Sequence, residues 1–119
     1  MNKLIPVTTS SSKPEFDHPR PDRLVAGNPL RTTWEAYESQ GMEAGIWSCE
    51  KGAWQIAFAE GKDEFFCIIE GRIKITDADG IAKEFGPGQG CVIPSGFTGT
   101  FEVLEPVQKY YVITEAKAH

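Results

Sequence analysis

Residues able to support acid–base, nucleophilic or metal chemistry are few in this sequence, and they lie far apart. The 119 residues contain two histidines, His18 and His119, and three cysteines, Cys49, Cys67 and Cys91. No two cysteines form a C-x-x-C pair, so the spacing predicts neither a zinc knuckle nor a redox pair. Few histidines are available to activate a thiol, and Cys67 and Cys91 lie in apolar runs, so we expect inert, buried thiols. The cysteines are predicted to be reduced, in a cytoplasmic protein.

Composition and charge indicate an ordinary globular protein of one domain. Hydrophobic residues make up 40% and charged residues 24% of the chain, and the net charge is −5. Nucleic-acid surfaces need clustered Lys and Arg, which this acidic chain lacks, so we expect no nucleic-acid partner. No apolar stretch approaches the length of a membrane span, and residues 1–21 lack the apolar run of a signal peptide, so no membrane partner is expected.

Short apolar runs alternate with turn residues between residues 54 and 103. Residues 65–69 are apolar throughout, which is typical of a strand buried on both faces. Glu70-Gly71 and Asp79-Gly80 are predicted to be turns on either side of an alternating strand at residues 72–76. The whole pattern indicates about eight or nine short strands and little helix, which predicts an all-β sandwich or barrel.

The chain is predicted to divide into three segments. Residues 1–21 are polar and rich in Pro and Ser, so we expect an extended N-terminal arm in which His18 is solvated. Residues 22–113 would form the barrel, and residues 114–119 a frayed tail whose His119 is not a ligand. Residues 33–38 could form a short helix or an extended edge segment. Lys51-Gly52 predicts a hairpin between the strands that flank it.

Two stretches resemble the motifs of the cupin superfamily, whose fold is a double-stranded β-helix, or jelly-roll, barrel. In residues 64–71 a Glu precedes a strand that closes in Glu-Gly, and Gly88 is followed after five residues by Pro94-Ser95-Gly96. Over residues 22–113 the chain is similar in particular to the small single-cupin proteins grouped with the cupin domains of ureidoglycine aminohydrolase. The resemblance implies a jelly-roll barrel and, as one alternative for function, a metal-dependent enzyme that hydrolyses ureides or amides.

The cupin-like motifs of this chain lack the histidines that usually hold a metal ion in that superfamily. Counted from Glu64, the two histidine positions of the first motif hold Phe58 and Glu60, and the histidine position of the second holds Gly99. A tight transition-metal site needs three or four converging ligands. We therefore expect no metal cofactor, although Glu64 and Glu60 could hold a divalent metal ion weakly.

The resemblance implies that Glu64 points into the mouth of the barrel, which makes it the candidate catalytic residue. Burial disfavours the charged form of a carboxyl group, so Glu64 could serve as a general acid or base. Alternatively, Glu64 is a leftover polar residue satisfied by a Lys, a Tyr or a backbone donor. Lys109 is one such partner, and it could pair with Glu64 and keep it ionised.

Strand alternation, combined with this family position, predicts an aromatic pocket around Glu64. Gly99 would leave space where a histidine is expected, and Phe101 would line the wall opposite Trp54. The Trp54 indole could stack on a flat ligand. The candidate ligand-binding residues are Trp54, Phe58, Glu60, Phe66, Gly99, Phe101, Lys109 and Tyr111.

These features predict a cupin-fold protein that binds a small polar metabolite in its barrel, either as a catalyst of proton transfer or as a binder only. The metal-dependent hydrolase implied by the resemblance is one alternative. A non-catalytic interaction domain, with residues 1–21 mediating association, is another. Cupins commonly pair through their sheets, and short edge strands invite such pairing, so we expect a homodimer.

Overall fold

The computed structural model describes residues 2–116, which form a curled sheet of nine strands. A 3-10 turn at Pro21–Arg23 precedes the second strand. The described residues contain no α-helix, and none of their helices is long and apolar enough to cross a membrane. The all-β prediction is confirmed. The strands are β1 (Glu15–Asp17), β2 (Leu24–Ala26), β3 (Arg31–Ser39), β4 (Met42–Cys49), β5 (Gly52–Ala57), β6 (Lys62–Asp77), β7 (Ala82–Phe85), β8 (Gly90–Ile93) and β9 (Thr98–Glu115).

Two long antiparallel strands, β6 and β9, connect all parts of the sheet. They pair from Lys62 opposite Glu115 to Asp77 opposite Gly99. The second edge of β9 pairs with β5 along its first half and with β4 along its second half. The second edge of β6 pairs with β8 and β7. Because a twisted sheet with two such shared strands curls on itself, the inner faces enclose one core, as in a jelly-roll barrel.

The predicted turn at Glu70-Gly71 is instead a bulge within β6, where the register against β9 shifts. Gly71 has a φ of +83°, and a Cβ there would lie 2.1 Å from the Pro106 carbonyl oxygen, so only glycine fits. The bulge also changes which residues of β6 face inward, from even-numbered to odd-numbered positions. The buried hydrophobic residues of β6 are Phe66 and Ile68 before the bulge and Ile73 and Ile75 after it.

Three other local predictions can be compared with the strands. The turn at Asp79-Gly80 is confirmed, because the Asp77 carboxylate accepts hydrogen bonds from the backbone N–H groups of Asp79 and Ile81. The predicted hairpin at Lys51-Gly52 is wrong, since β4 and β5 do not pair with each other and both pair with β9. Residues 33–38 belong to β3, which is the extended alternative.

Both predicted end segments contribute residues to strands of the sheet. Within the predicted arm, β1 pairs with β3, with Asp17 opposite Arg31. Thr114 and Glu115, placed in the predicted tail, continue β9 and pair with β6. His18 is exposed, as predicted, and its Nδ1 hydrogen-bonds the carbonyl oxygens of Asn28 and Pro29. His119 lies outside the described residues.

The apolar run at residues 65–69 is buried on one face only, contrary to the prediction. Phe66 and Ile68 are buried, whereas Phe65 is 48% exposed. The inner face of this run packs into a core in which Trp54 and Phe101 stack, with ring centroids 5.1 Å apart. The outer face of β6 therefore presents apolar side chains to solvent.

Candidate functional site

Inward-facing side chains of β4, β9 and β6 lie side by side in rows across the barrel wall. Side chains on one face of a strand recur every second residue, so successive rows stack along the strands. The rows bring polar groups that are distant in sequence to the same interior surface. Counted from the start of β4, the first row contains Glu43, Ile113 and Glu64, the second contains Gly45, Tyr111 and Phe66, and the third contains Trp47, Lys109 and Ile68.

A buried ion pair joins the first and third of these rows. Lys109 Nζ donates a hydrogen bond to Glu64 Oε2 at 2.8 Å, and the side chains of Lys109 and Glu64 are 6% and 10% exposed. The backbone of Lys109 lies two rows from Glu64, so its side chain extends past the row between them. Its Nζ lies 4.6 Å from the ring centroid of Phe66 in that middle row. Nζ also lies 4.5 Å from the Trp47 ring and 5.1 Å from the Phe101 ring. One carboxylate and three aromatic rings thus surround the ammonium group.

This ion pair corresponds to the alternative prediction, in which a lysine forms a hydrogen bond with the Glu64 carboxylate. Lys109 Nζ engages one oxygen of the carboxylate, and the other oxygen, Oε1, accepts no hydrogen bond from residues 2–116. In that part of the chain no fully buried polar side-chain atom lacks a partner. Glu64 Oε1 is therefore not sealed in the core, and it is open to the cavity that borders it.

The residues at the cupin ligand positions do not suit a transition-metal ion. Phe58 and Gly99 offer no donor atom, and Glu60 is exposed in the turn before β6. Glu64 is held by an ammonium group whose positive charge opposes a cation. Within residues 2–116, no three His, Cys, Asp or Glu side chains are grouped as metal ligands.

A cavity of about 480 Å³ opens beside the ion pair, a size suited to a small molecule. Phe66 lies beneath the lining, fully buried under Lys109. The structure places Glu60 and Gly99 outside the lining as well. The predicted site residues that line the cavity are Trp54, Phe58, Glu64, Phe101, Lys109 and Tyr111.

Two details of the predicted pocket are corrected by the structure. Gly99 leaves no space, because a Cβ there would lie 2.1 Å from the Thr76 carbonyl oxygen. Phe101 lies next to Trp54 on the neighbouring strand and stacks on it, so the two do not form opposite walls. The Arg31 guanidinium also lies over the Trp54 ring, 5.3 Å from its centroid, and Trp54 is only 6% exposed. The indole is thus covered by the protein's own side chains rather than free to stack on a ligand.

The hydroxyl group of Tyr111 is a further polar element of the lining. Burial, followed by the negative charges of Glu35, Glu43 and Glu64, raises the pKa of Tyr111 to about 12. The hydroxyl therefore keeps its proton at neutral pH and can donate a hydrogen bond. Gly45 faces both the β3 backbone and this hydroxyl, since a Cβ at that position would lie 2.2 Å from the Trp34 carbonyl oxygen and 2.9 Å from the hydroxyl oxygen.

The cysteines are not part of this site. All three are free; Cys49 is buried, whereas Cys67 and Cys91 are half-buried rather than buried as predicted. Burial raises the pKa of Cys49 to about 12 and also raises the pKa of Cys91. Because the thiolate is the reactive form, these two thiols are poorly suited to nucleophilic chemistry.

Basic side chains dominate the charged part of the lining, and sequence reasoning missed most of them. Arg20, Arg23, Arg31, Lys62 and Lys109 line the cavity, against Asp17, Glu43 and Glu64. This chain has a net charge of −5, yet its cavity has two more basic than acidic groups. No pattern in the neighbouring sequence predicts that residues 1–21 contact the barrel, so Arg20 was not expected in the lining. Trp47, also in the lining, could have been found from its alternation with Cys49 on β4.

Comparison with known proteins relates the chain to a described family. The EutQ-like cupin domain family matches residues 36–111. No match was found among proteins of curated function. The EutQ protein of Clostridium difficile is 24% identical, with a TM-score of 0.66 over 82% of this chain and 79% of that chain.

Two further solved structures share the fold. A DUF861-family protein of unknown function from Pseudomonas syringae pv. tomato has a TM-score of 0.78 at 18% identity, covering 91% of this chain. This chain spans only 46% of the length of that protein. A DUF861-family protein from Thermotoga maritima is 30% identical, with a TM-score of 0.50 over 56% of this chain and 73% of that chain.

Proposed function

The chain belongs to the EutQ-like cupin domain family, and on that premise we propose that it binds a small polar molecule in its barrel cavity. The Glu64–Lys109 pair is the recognition element. The main support for this proposal is the position of the pair, which is buried in the barrel wall yet borders a cavity of about 480 Å³. Sites for small molecules combine apolar walls with a few fixed polar groups, and this cavity has both.

The pair presents a donor and an acceptor side by side. The ammonium group has three N–H donors, of which one is used by Glu64, and Glu64 Oε1 is open to the cavity. Tyr111 adds a hydroxyl donor on the same wall. A bound ligand with adjacent donor and acceptor atoms would complete these hydrogen bonds. If such a ligand is turned over, Glu64 Oε1 is the atom placed to exchange a proton with it.

The two alternatives have less support from the described residues. A metal-dependent ureide or amide hydrolase needs a donor set that Phe58, Glu60 and Gly99 do not supply. An association role for the arm needs its residues to be free. Instead, Asp17 pairs with Arg31 and Arg20 lines the cavity, so this part of the arm is engaged with the barrel.

A binding screen on paired variants tests the proposal. Small polar metabolites are screened by thermal shift against the wild type, and hits are titrated calorimetrically against Glu64→Gln. Glu84→Gln is the matched control, since Glu84 pairs with Arg72 on the surface and outside the cavity. A hydrogen bond to a charged group contributes about 1.5–3 kcal/mol, so affinity should fall about tenfold or more in Glu64→Gln.

Glu64→Gln is expected to remain folded by circular dichroism, and Glu84→Gln is expected to bind like the wild type. Equal affinity of every hit for the wild type and Glu64→Gln would reduce Glu64 to a structural role. A screen without any hit that depends on Glu64 would likewise contradict the proposal.

A further inference from the structure

We infer that the ligand of this cavity carries a carboxylate or a similar oxyanion, and that Arg31 binds this group. The inference rests on the proposed function and adds the chemical class of the ligand. It comes from the distribution of charge in the lining and from the way in which Arg31 is held.

The charges in the cavity are separated along β4. Glu43 lies at one end of this strand, and Cys49, which pairs with Arg31, lies at the other, about 20 Å away at 3.3 Å per residue. Arg23 directly precedes Leu24, which pairs with Trp54, the residue under Arg31. The cavity thus has a basic end around Trp54 and a second end where Glu43 and Glu64 are balanced by Lys62 and Lys109.

Of the three arginines at the basic end, Arg31 and Arg20 are ion-paired, and Arg23 has no ion-pair partner in the described part of the chain. Asp17 is the acidic lining residue there, and it pairs with Arg31. Arg20 pairs with Asp22, which lies outside the lining, and both side chains are well exposed. Arg23 forms no ion pair with any residue from 2 to 116. An anionic ligand would be attracted to this end and would supply the missing negative charge.

Arg31 is held in one orientation with part of its guanidinium unused. Nε donates to Asp17 Oδ1 at 2.9 Å, and Nη2 donates to Asp17 Oδ2 at 2.7 Å and to the His18 carbonyl oxygen at 3.3 Å. The guanidinium also lies over the Trp54 ring. Nη1 donates to no acceptor in the described part of the chain, and the side chain is 21% exposed. Because Nε and Nη2 are engaged by Asp17 and His18, the free N–H groups are those of Nη1, which can donate a charge-assisted hydrogen bond to an oxyanion.

The arm explains why Arg31 is so well held. Asp17 and Arg31 are register partners in the β1–β3 pair, so backbone pairing of the arm brings the carboxylate to the guanidinium. Without β1, Arg31 would lose its hydrogen bonds to Asp17 and His18 and keep only its contact with the Trp54 ring. The arm is therefore a part of the binding site.

A matched pair of probes tests the inference. Benzoate and benzamide have the same flat shape, and only benzoate is an anion. Each is titrated into the wild type, with binding followed by tryptophan fluorescence, since Trp47 and Trp54 line the cavity. We expect benzoate to bind at least tenfold more tightly than benzamide at low salt. This preference should shrink as salt is added, because exposed charges are screened.

Variants then assign the preference to Arg31. Arg31→Gln should remove most of it, and Arg31→Lys, which keeps the charge but not the planar fork, should retain a part. Arg72→Gln should leave it unchanged, because Arg72 is paired with Glu84 outside the cavity. If Arg31→Gln fails to fold, Arg23→Gln provides the second test, with a smaller loss of preference.

The outcomes separate this inference from the proposed function. Benzamide binding as tightly as benzoate, or an undiminished preference in Arg31→Gln, would overturn the anion class and the role of Arg31. So would the absence of benzoate binding at millimolar concentration. A screening hit that depends on Glu64 would still support the proposed function in each of these cases.

Discussion

One buried ion pair on the inner face and several exposed apolar residues on the outer face of the β6–β9 pair depart from the pattern of a sheet with one solvated side. As whole residues, Glu64 and Lys109 on the inner face are 8% and 5% exposed, whereas their chain neighbours Phe65 and Tyr110 on the outer face are 48% and 45% exposed. Antiparallel sheets usually place apolar residues inward and charged residues outward. A buried ion pair contributes little stability relative to apolar residues of the same shape, so stability alone does not account for its place on the inner face.

The outer face is continuous enough to form a surface of its own. Phe65 pairs with Val92 on β8 and with Val112 on β9, and Tyr110 lies two residues before Val112 on the same face. Val92 is 59% exposed. We call Phe65, Val92, Tyr110 and Val112 the outer patch. Three of these side chains are exposed and Val112 is half-buried. Contiguous exposed apolar residues are typical of contact surfaces, so the expected homodimer would form there.

Removing one charge from the inner face should produce the largest change in stability. In Lys109→Met the carboxylate of Glu64 stays buried without its partner, so the free energy of unfolding should fall by about 3–5 kcal/mol. The double variant Glu64→Gln, Lys109→Met should recover more than half of this loss, because no charge is then left alone. Urea unfolding followed by circular dichroism measures both quantities.

An exposed ion pair on β6 and β7 gives the control for this measurement. Arg72 and Glu84 pair at 2.9 Å but are 44% and 47% exposed. Arg72→Met should therefore lose only about 0–1 kcal/mol. If the free energy of unfolding fell no more in Lys109→Met than in Arg72→Met, the inner pair would be energetically equivalent to a surface pair. The two faces would then not differ in this respect.

The two adjacent tyrosines allow a test of the contrast at alkaline pH. The pKa of Tyr111 on the inner face is raised from 10.0 to about 12, first by burial and then by nearby carboxylates. The folded state thus keeps this proton at a pH where the unfolded state has lost it. The stabilisation is complete below pH 10 and disappears as the pH rises towards 12.

Tyr111→Phe should therefore lose less stability than the wild type between pH 10 and pH 12. Tyr110→Phe, one residue away on the outer face, is the control, and it should follow the wild type. Cys49, whose pKa burial also raises to about 12, contributes the same slope in all three proteins. If plots of unfolding free energy against pH were parallel for the wild type and Tyr111→Phe between pH 10 and pH 12, Tyr111 would behave as an exposed tyrosine.

Changes to the outer patch should affect folding least and association most. Phe65→Lys and Val92→Lys alter exposed side chains, so each should change the stability of a single chain by no more than about 0.5 kcal/mol. Light scattering should give the mass of two chains for the wild type and of one chain for the double variant. A wild-type mass equal to one chain would refute the dimer, and an unchanged mass in the double variant would move the interface elsewhere.

The sequence predicted the barrel well because its signals are local. Alternation at residues 72–76 places Ile73 and Ile75 inward, and Asp79-Gly80 closes a hairpin with hydrogen bonds from its own segment. Glu70-Gly71 carries the same local signal but lies inside β6. Its backbone is held by β9, which is more than 30 residues away in the chain, so no local pattern could distinguish a bulge from a turn.

The candidate site was predicted in part. Glu64 was identified from a motif, and Lys109 was named as one of several groups that could satisfy it; the structure shows that it does. Gly99 was assigned open space that the Thr76 backbone fills. Arg23 and Arg31 were not identified, because their position depends on the arm crossing the barrel and on β1 pairing with β3.

What the sequence by itself determined is the set of strands and the side chains that alternate along each of them, because propensity and period act between near neighbours. The tertiary structure alone decided which strands became neighbours, both around β6 and β9 and in the pairing of β1 with β3. That choice brought Lys109 to Glu64, 45 residues apart, and Arg31 to Asp17 and Trp54. Such contacts form because the whole core packs and the sheet closes on itself. The free energy of that packing depends on many distant residues together, so no short segment of the chain determines it.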